Sequence, residues 1–190
     1  APTGVGKTIS TLYPALKELG DEKAENIFYL TAKTITRTVA EDTIKLLKKQ
    51  GLFLSAVTIT AKEKICIQEE MQCNPESCER AKGHFDRINE ALYALLNVEC
   101  EISRENLLLF AEKYQVCPYE LSFEAAVWAD CIICDYNYVF DPHVNRKSLI
   151  EGSLRQNIYL IDEAHNLLDR AREMYSADIA KSDFKAPKKY

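Results

Sequence analysis

The chain has 190 residues, nearly half of them apolar and a little over a quarter charged, a balance that suits one globular domain or one domain with a small insertion. Its formal net charge of −5 gives no global support to nucleic-acid binding, which leaves only a local basic path for such a partner. Seven cysteines, an odd count, argue against a fully paired secreted framework, and with no membrane-length apolar run and no signal peptide a cytoplasmic protein without a membrane partner is expected.

The opening residues APTGVGKT match a phosphate-binding loop, with Ala1 at the position of the usual first glycine. Gly4 and Gly6 permit backbone conformations that a Cβ would obstruct, so successive N–H groups turn inward as an anion-binding nest. A helix beginning near Lys7 adds the positive end of its dipole. Lys7 reaches the β- and γ-phosphates of a nucleotide such as ATP, and the Thr8 hydroxyl binds Mg²⁺. Thr3, Gly4, Val5, Gly6, Lys7 and Thr8 are the candidate nucleotide-binding set. The stretch KTISTLYPALKELG has helical apolar spacing, stops at Gly20, and is expected to kink at Pro14. The strand that such a loop follows lies outside the sequence, so the chain reads as a piece of a longer protein.

NIFYLTAKT (26–34) then reads as a strand running into a polar turn. RTVAEDTIKLLKKQG reads as an amphipathic helix ending at Gly51, and AVTIT (56–60) as a second short strand. After Thr60 the alternation breaks. The next seventy residues carry Cys66, Cys73, Cys78, Cys100 and Cys117 among helical patterns. HFDRINEALYALLN places Phe85, Ile88, Leu92, Leu95 and Leu96 at three- and four-residue spacing. SRENLLLFAEKY begins on a capping serine, Ser103, and PYELSFEAAVWA begins on Pro118, a favourable first helical residue.

Cys66, Cys73 and Cys78 crowd one loop-like stretch, while Cys117 precedes a helix whose dipole would stabilise a thiolate. Cys100 is also a candidate fourth ligand. Clustered thiols of this kind point to a metal, and spacing leaves open which one. Zinc favours tight CxxC knuckles, absent among these cysteines, whereas a four-thiolate iron–sulfur cluster tolerates irregular spacing.

DCIICDYNYVF (130–140) reads as a third strand. Cys131 and Cys134, three apart on it, face opposite sides and read as packing rather than ligation. Tyr136 and Tyr138 are candidates for base stacking, with packing the more ordinary role. NIYLIDEAH (157–165) is an apolar strand ending in two acids. In open α/β sheets ligands bind beyond such carboxyl ends. Asp162 would hold Mg²⁺ there, and Glu163 would orient and deprotonate the attacking water.

APTGVGKT, FYLTAKT, the cysteine insert, VCPYELS, CDYNYVFDP and LIDEAHN occur in the order seen in XPD/DinG-type iron–sulfur DNA helicases of superfamily 2, which the chain resembles over nearly all its length, most closely a bacterial branch. The resemblance implies an α/β RecA-like P-loop motor domain with a mainly parallel sheet (1–61 and 120–190), interrupted by a small helical Fe–S insert (62–119), the chain ending near an arch-like insert that follows. It implies ATP- and Mg²⁺-dependent 5′ to 3′ translocation on single-stranded or forked DNA, with a second motor domain in the same polypeptide. By motif, Lys7, Asp162 and Glu163 are catalytic, His165 couples the nucleotide site to neighbouring motifs, and Lys33 and Thr34 meet the DNA backbone. Cys66, Cys73, Cys78 and Cys117 ligate a [4Fe–4S] cluster that staples a wedge or pore-lining domain. The tail from about Arg170 is expected to be poorly ordered without the residues it packs on, and the chain alone to hydrolyse ATP slowly if at all. The competing readings are a zinc-stapled P-loop module that switches on nucleotide without helicase activity, and an inactive scaffold.

Overall fold

Strict alternation along the strands sets the architecture, because successive strand residues face opposite sides of a sheet. A computed structural model describes residues 6–98, 102–144 and 156–177. Four parallel strands, β1 (Asn26–Thr31), β2 (Ala56–Thr58), β3 (Cys131–Asp135) and β4 (Asn157–Ile161), lie in the order β2-β3-β1-β4. On β1, Ile27 and Tyr29 face one core and Phe28 and Leu30 the other. On β3, Cys131 and Ile133 separate from Ile132 and Cys134 in the same way. Both cysteines are buried packing residues, one on each face, as expected from their spacing.

The first face is covered by α1 (Lys7–Gly20) and α2 (Thr34–Lys49). Gly6, immediately before α1, adopts φ 66°, and a Cβ there would come within 3.2 Å of Ile9, so the loop-to-helix turn needs this glycine. The helix runs through Pro14 rather than breaking at it. α2 starts one turn earlier than its apolar pattern, at Thr34, and within its first turn the Thr36 hydroxyl donates to the Lys33 carbonyl at 2.9 Å. Its end is marked by Gly51 at φ 98°, with Gly51 N–H donating to Lys48 O and Leu52 N–H to Leu47 O, a Schellman closure.

The cysteine insert supplies the second covering layer: a short turn α3 (Lys62–Ile65), then α4 (His84–Asn97), α5 (Arg104–Tyr114) and α6 (Pro118–Ala126). Leu95, Leu107 and Leu121 are fully buried with Phe28, Ile132 and Cys134 of the sheet. Each such leucine contributes about 1.5–3 kcal/mol by leaving water. The stripe on α4 is narrower than its spacing suggests: Ile88 and Leu95 are buried, but Phe85 and Leu96 face outward. The Ser103 hydroxyl accepts from Asn106 N–H at 3.3 Å, the expected cap of α5. Ser103→Ala is expected to cost about 1 kcal/mol and to lower Tm by roughly 2–4 °C in a thermal melt.

Two expectations need correction. The third strand stops at Asp135 rather than Phe140: the Asp135 carboxylate accepts from Asn137 N–H at 3.0 Å, turning the chain into α7 (Asn137–Phe140). β4 lies at the sheet margin among the described residues and is half-buried rather than fully covered, with Tyr159 and Ile161 partly open. After a 3₁₀ turn (Ala164–Asn166), α8 (Leu167–Met174) buries Met174 in the second core, and the hydroxyl of Tyr175, just past it, donates to Phe140 O at 3.3 Å; most of the tail expected to be poorly ordered, residues 178–190, lies outside the described residues. Among the described residues no helix is long and apolar enough to cross a membrane.

Candidate functional site

Parallel pairing of β1 with β4, Tyr29 against Leu160 and Leu30 against Ile161, delivers the two acids beside the start of α1. Asp162 N–H still donates to Leu30 O at 2.9 Å, so the strand pairing continues into the acidic turn. Lys7, Thr8, Asp162 and Glu163 then line one cavity of about 500 Å³, with Tyr29 in its wall. Lys7 Nζ stands 3.6 Å from Glu163 Oε1, and His165 Nδ1 is 3.4 Å from Glu163 Oε2. The tyrosine faces Thr8, and burial, with the Asp162 charge adding to it, raises its pKa against the pull of Thr8. Residues far apart in the chain thus converge as the motifs anticipated. Thr3, Gly4 and Val5 lie outside the described residues.

The peptide carrying the acids is held unusually. Glu163 adopts φ 50°, a left-handed conformation uncommon for a non-glycine residue. Its carbonyl accepts from Asn166 Nδ2 at 3.0 Å and from the Tyr136 hydroxyl at 3.2 Å, and the same hydroxyl donates to Asp162 O. Tyr136 is fully buried, so it packs and braces rather than stacking on bases. Tyr138 is buried too, and burial drives its pKa upward. The bracing role of Tyr136 was not legible, since nothing in CDYNY marks which hydroxyl reaches a strand two positions away.

A second cavity, about 600 Å³, opens beyond the carboxyl ends of β1, β2 and β3. Lys33 and Thr34 line it together with Arg37, Lys62, Lys64 and Arg170, a local basic path on an acidic chain. Asp135 and Asn137 form part of its wall, and Arg170 reaches Asp135 at 3.5 Å. Arg37, Lys62, Lys64 and Arg170 escaped the sequence reading because they come from three separate segments.

Cys66, Cys73, Cys78 and Cys117 all line a third cavity of about 320 Å³ and all are free thiols. Two arginines bring the segments together: Arg80 donates to Ala111 O at 2.6 Å, to Val116 O at 3.4 Å and to Glu112, and Arg87 donates to Lys82 O and Gln115 O. His84 Nδ1 accepts from Cys117 N–H at 3.5 Å, and burial lowers the His84 pKa, so the neutral ring suits an acceptor. Burial also raises the Cys117 pKa, outweighing the N–H groups of Tyr119 and Glu120 at the start of α6. The expected lowering by the helix dipole is therefore overturned for the bare thiol, because desolvation of the thiolate is the larger effect. Among the described residues no three His, Cys, Asp or Glu side chains converge so as to hold a metal ion. As a donor set, four thiols around one partly apolar cavity are the ligand type of an iron–sulfur cluster or of a structural zinc ion. Cys100 lies outside the described residues. Lys62 bridges this cavity and the basic one, with its ammonium 5.2 Å from the Tyr119 ring.

A parallel sheet flanked by helices, with the candidate ligand residues at its carboxyl edge, is the architecture of a RecA-like motor domain. The structures described as "XPD_Helicase" and "Truncated XPD" share it: TM-score 0.61 at 22% identity over 92% of this chain and 30% of that one, and TM-score 0.57 at 23% identity over 91% and 48%. The DEAD_2 family model matches residues 30–184, and the chain belongs to that family. It is also similar to a Fanconi anemia group J protein homolog from Gallus gallus, 39% identical over 82 residues, 43% of this chain and 6% of that protein. A regulator of telomere elongation helicase 1 homolog from Anopheles gambiae is 26% identical over 147 residues, 70% of this chain and 14% of that protein. The chain spans only a small part of the curated relatives it matches.

Proposed function

We propose that this chain is the first motor domain of an ATP-dependent DNA helicase of the XPD-like class, translocating 5′ to 3′ and belonging to a bacterial branch. The observation that carries the reading is the convergence of Lys7, Thr8, Asp162 and Glu163 on one cavity at the carboxyl edge of a parallel sheet. Lys7 neutralises the β- and γ-phosphates, leaving Glu163 when they enter. Thr8 and Asp162 hold Mg²⁺, whose charge offsets that of the phosphates. Glu163 orients and deprotonates the attacking water, and His165, paired with it at 3.4 Å, carries its state to neighbouring motifs. Thr3, Gly4, Val5 and Gly6 supply the backbone cradle.

Single-stranded DNA runs along the basic cavity, its phosphates met by Lys33, Thr34 and Arg37. Cys66, Cys73, Cys78 and Cys117 hold a [4Fe–4S] cluster that staples the insert (62–119) as a wedge or pore lining; the cluster supplies folding energy rather than redox chemistry. A second motor domain of the same polypeptide completes the ATP site, so the 190-residue chain alone binds nucleotide weakly and turns it over slowly if at all. The test is equilibrium titration of the chain with a fluorescent ATP analogue and Mg²⁺. Lys7→Ala is expected to weaken binding by about tenfold or more, the scale of a lost charge-assisted phosphate contact. Equal affinity in wild type and variant would remove the nucleotide-site assignment.

A further inference from the structure

The nucleotide cavity and the basic cavity share no lining residue, yet one short segment lines the basic cavity and hydrogen-bonds the acidic turn of the other. Asp135 and Asn137 lie in the wall of the basic cavity. Tyr136, between them, turns the other way and is fully buried, with its hydroxyl on the carbonyl oxygens of Asp162 and Glu163. Resting on the functional reading above, we infer that Tyr136 is a positioning residue that couples the two cavities, holding the peptide of the acidic pair while its neighbours meet nucleic acid.

Several bonds make this segment and the acidic turn move as a unit. Arg170 of α8 reaches Asp135 at 3.5 Å and itself lines the basic cavity. Tyr175, just past α8, donates to Phe140 O at 3.3 Å, and Met174 is buried beside Tyr136 and Tyr138 in one core. Asp135 Oδ1 fixes the turn by accepting from Asn137 N–H at 3.0 Å. A displacement of Asp135 or Arg170 by a phosphate therefore drags the Tyr136 backbone, and its hydroxyl pulls on a peptide already held at φ 50°. Left-handed Glu163 has little room to relax without redirecting its carboxylate, so a small shift at one cavity redirects the group at the other. Asn137 Oδ1, a buried acceptor with no hydrogen-bond partner among the described residues, gives this turn a reason to rearrange, since a small shift that finds a donor recovers the cost of leaving it unmade. The phenol stays protonated as a donor: burial, with the charges of Asp162, Asp135 and Glu163, pushes its pKa up to about 12.

Coupling between sites is a reciprocal change in affinity, so binding alone measures it. The 190-residue chain, purified without oxygen, is titrated with a fluorescent ATP analogue and Mg²⁺, with and without saturating oligothymidylate. In wild type the oligonucleotide is expected to change nucleotide affinity by about fivefold or more. Tyr136→Phe keeps the buried ring and removes only the hydroxyl. It is expected to bring that ratio to within about twofold of one, while affinity for oligothymidylate alone changes by less than about twofold. A purely structural role would lower stability without moving the ratio. Arg170→Gln, which removes the ion pair with Asp135, gives a second reading and is expected to reduce the ratio in the same direction. A folded Tyr136→Phe protein with the wild-type ratio overturns the inference. A wild-type ratio of one, with both ligands bound, overturns it and leaves the functional reading standing. Failure of wild type to bind either ligand removes both.

Discussion

Glu163→Gln is expected to lower ATP turnover by about a hundredfold or more in a polypeptide carrying both motor domains, the range set by loss of a general base. MgATP affinity is expected to stay within about threefold of wild type, because the amide is isosteric and phosphate charge is met by Lys7 and Mg²⁺ rather than by Glu163. The geometry sharpens this. Glu163 holds Lys7 on one oxygen at 3.6 Å and His165 on the other at 3.4 Å, so the substitution also frees both partners. Removing a carboxylate from beside the phosphates also lessens repulsion, so any affinity change should be toward tighter binding. Steady-state hydrolysis and equilibrium titration on the same preparation separate the two effects. Turnover at the wild-type rate would show that Glu163 does not activate water.

Cys117→Ser is expected to remove about four irons and four sulfides per chain from anaerobically purified protein, the content of one four-thiolate cluster. The reason lies in the cavity: Cys117 is the thiol brought from a distant segment to close the set formed by Cys66, Cys73 and Cys78. Its loss leaves three thiols on one loop. The helices should survive, because α4, α5 and α6 share their apolar core with the sheet and do not depend on the cysteine loop alone. Far-ultraviolet circular dichroism should therefore change little while metal content falls to near zero. One zinc and no iron in the wild type would instead leave a P-loop domain with a structural zinc insert, and the cluster would be wrong. The raised Cys117 pKa gives a further sign: cluster assembly must release the thiol proton against burial, so loading is favoured as pH rises.

Much of the fold was readable because it rests on local chemistry. The short apolar runs of β1 and β3, the Ser103 cap, the Pro118 start and the three- and four-residue spacing on α4 are each patterns over a few neighbouring positions. The meeting of Lys7 and Thr8 with Asp162 and Glu163 could be anticipated for a related reason, since such motifs place particular residues at fixed short spacings. Where a strand end was misread, a side chain competed with the regular pattern: Asp135 ended β3 by accepting from Asn137 N–H.

Relations between segments belonged to the tertiary structure. No spacing announces that the Tyr136 hydroxyl braces the Asp162–Glu163 peptide, that Arg170 joins Lys33 and Lys64 around one cavity, or that Lys62 stands between that cavity and the thiols. Nor could the helix before which Cys117 sits reveal that burial outweighs its dipole, because desolvation depends on everything packed around the sulfur. The sequence by itself determined the elements and the chemically obligatory motifs, since these are set by backbone sterics and residue type over a few positions. Which distant side chains meet, and in what dielectric, was decided only when parallel strand pairing and the shared core brought them together.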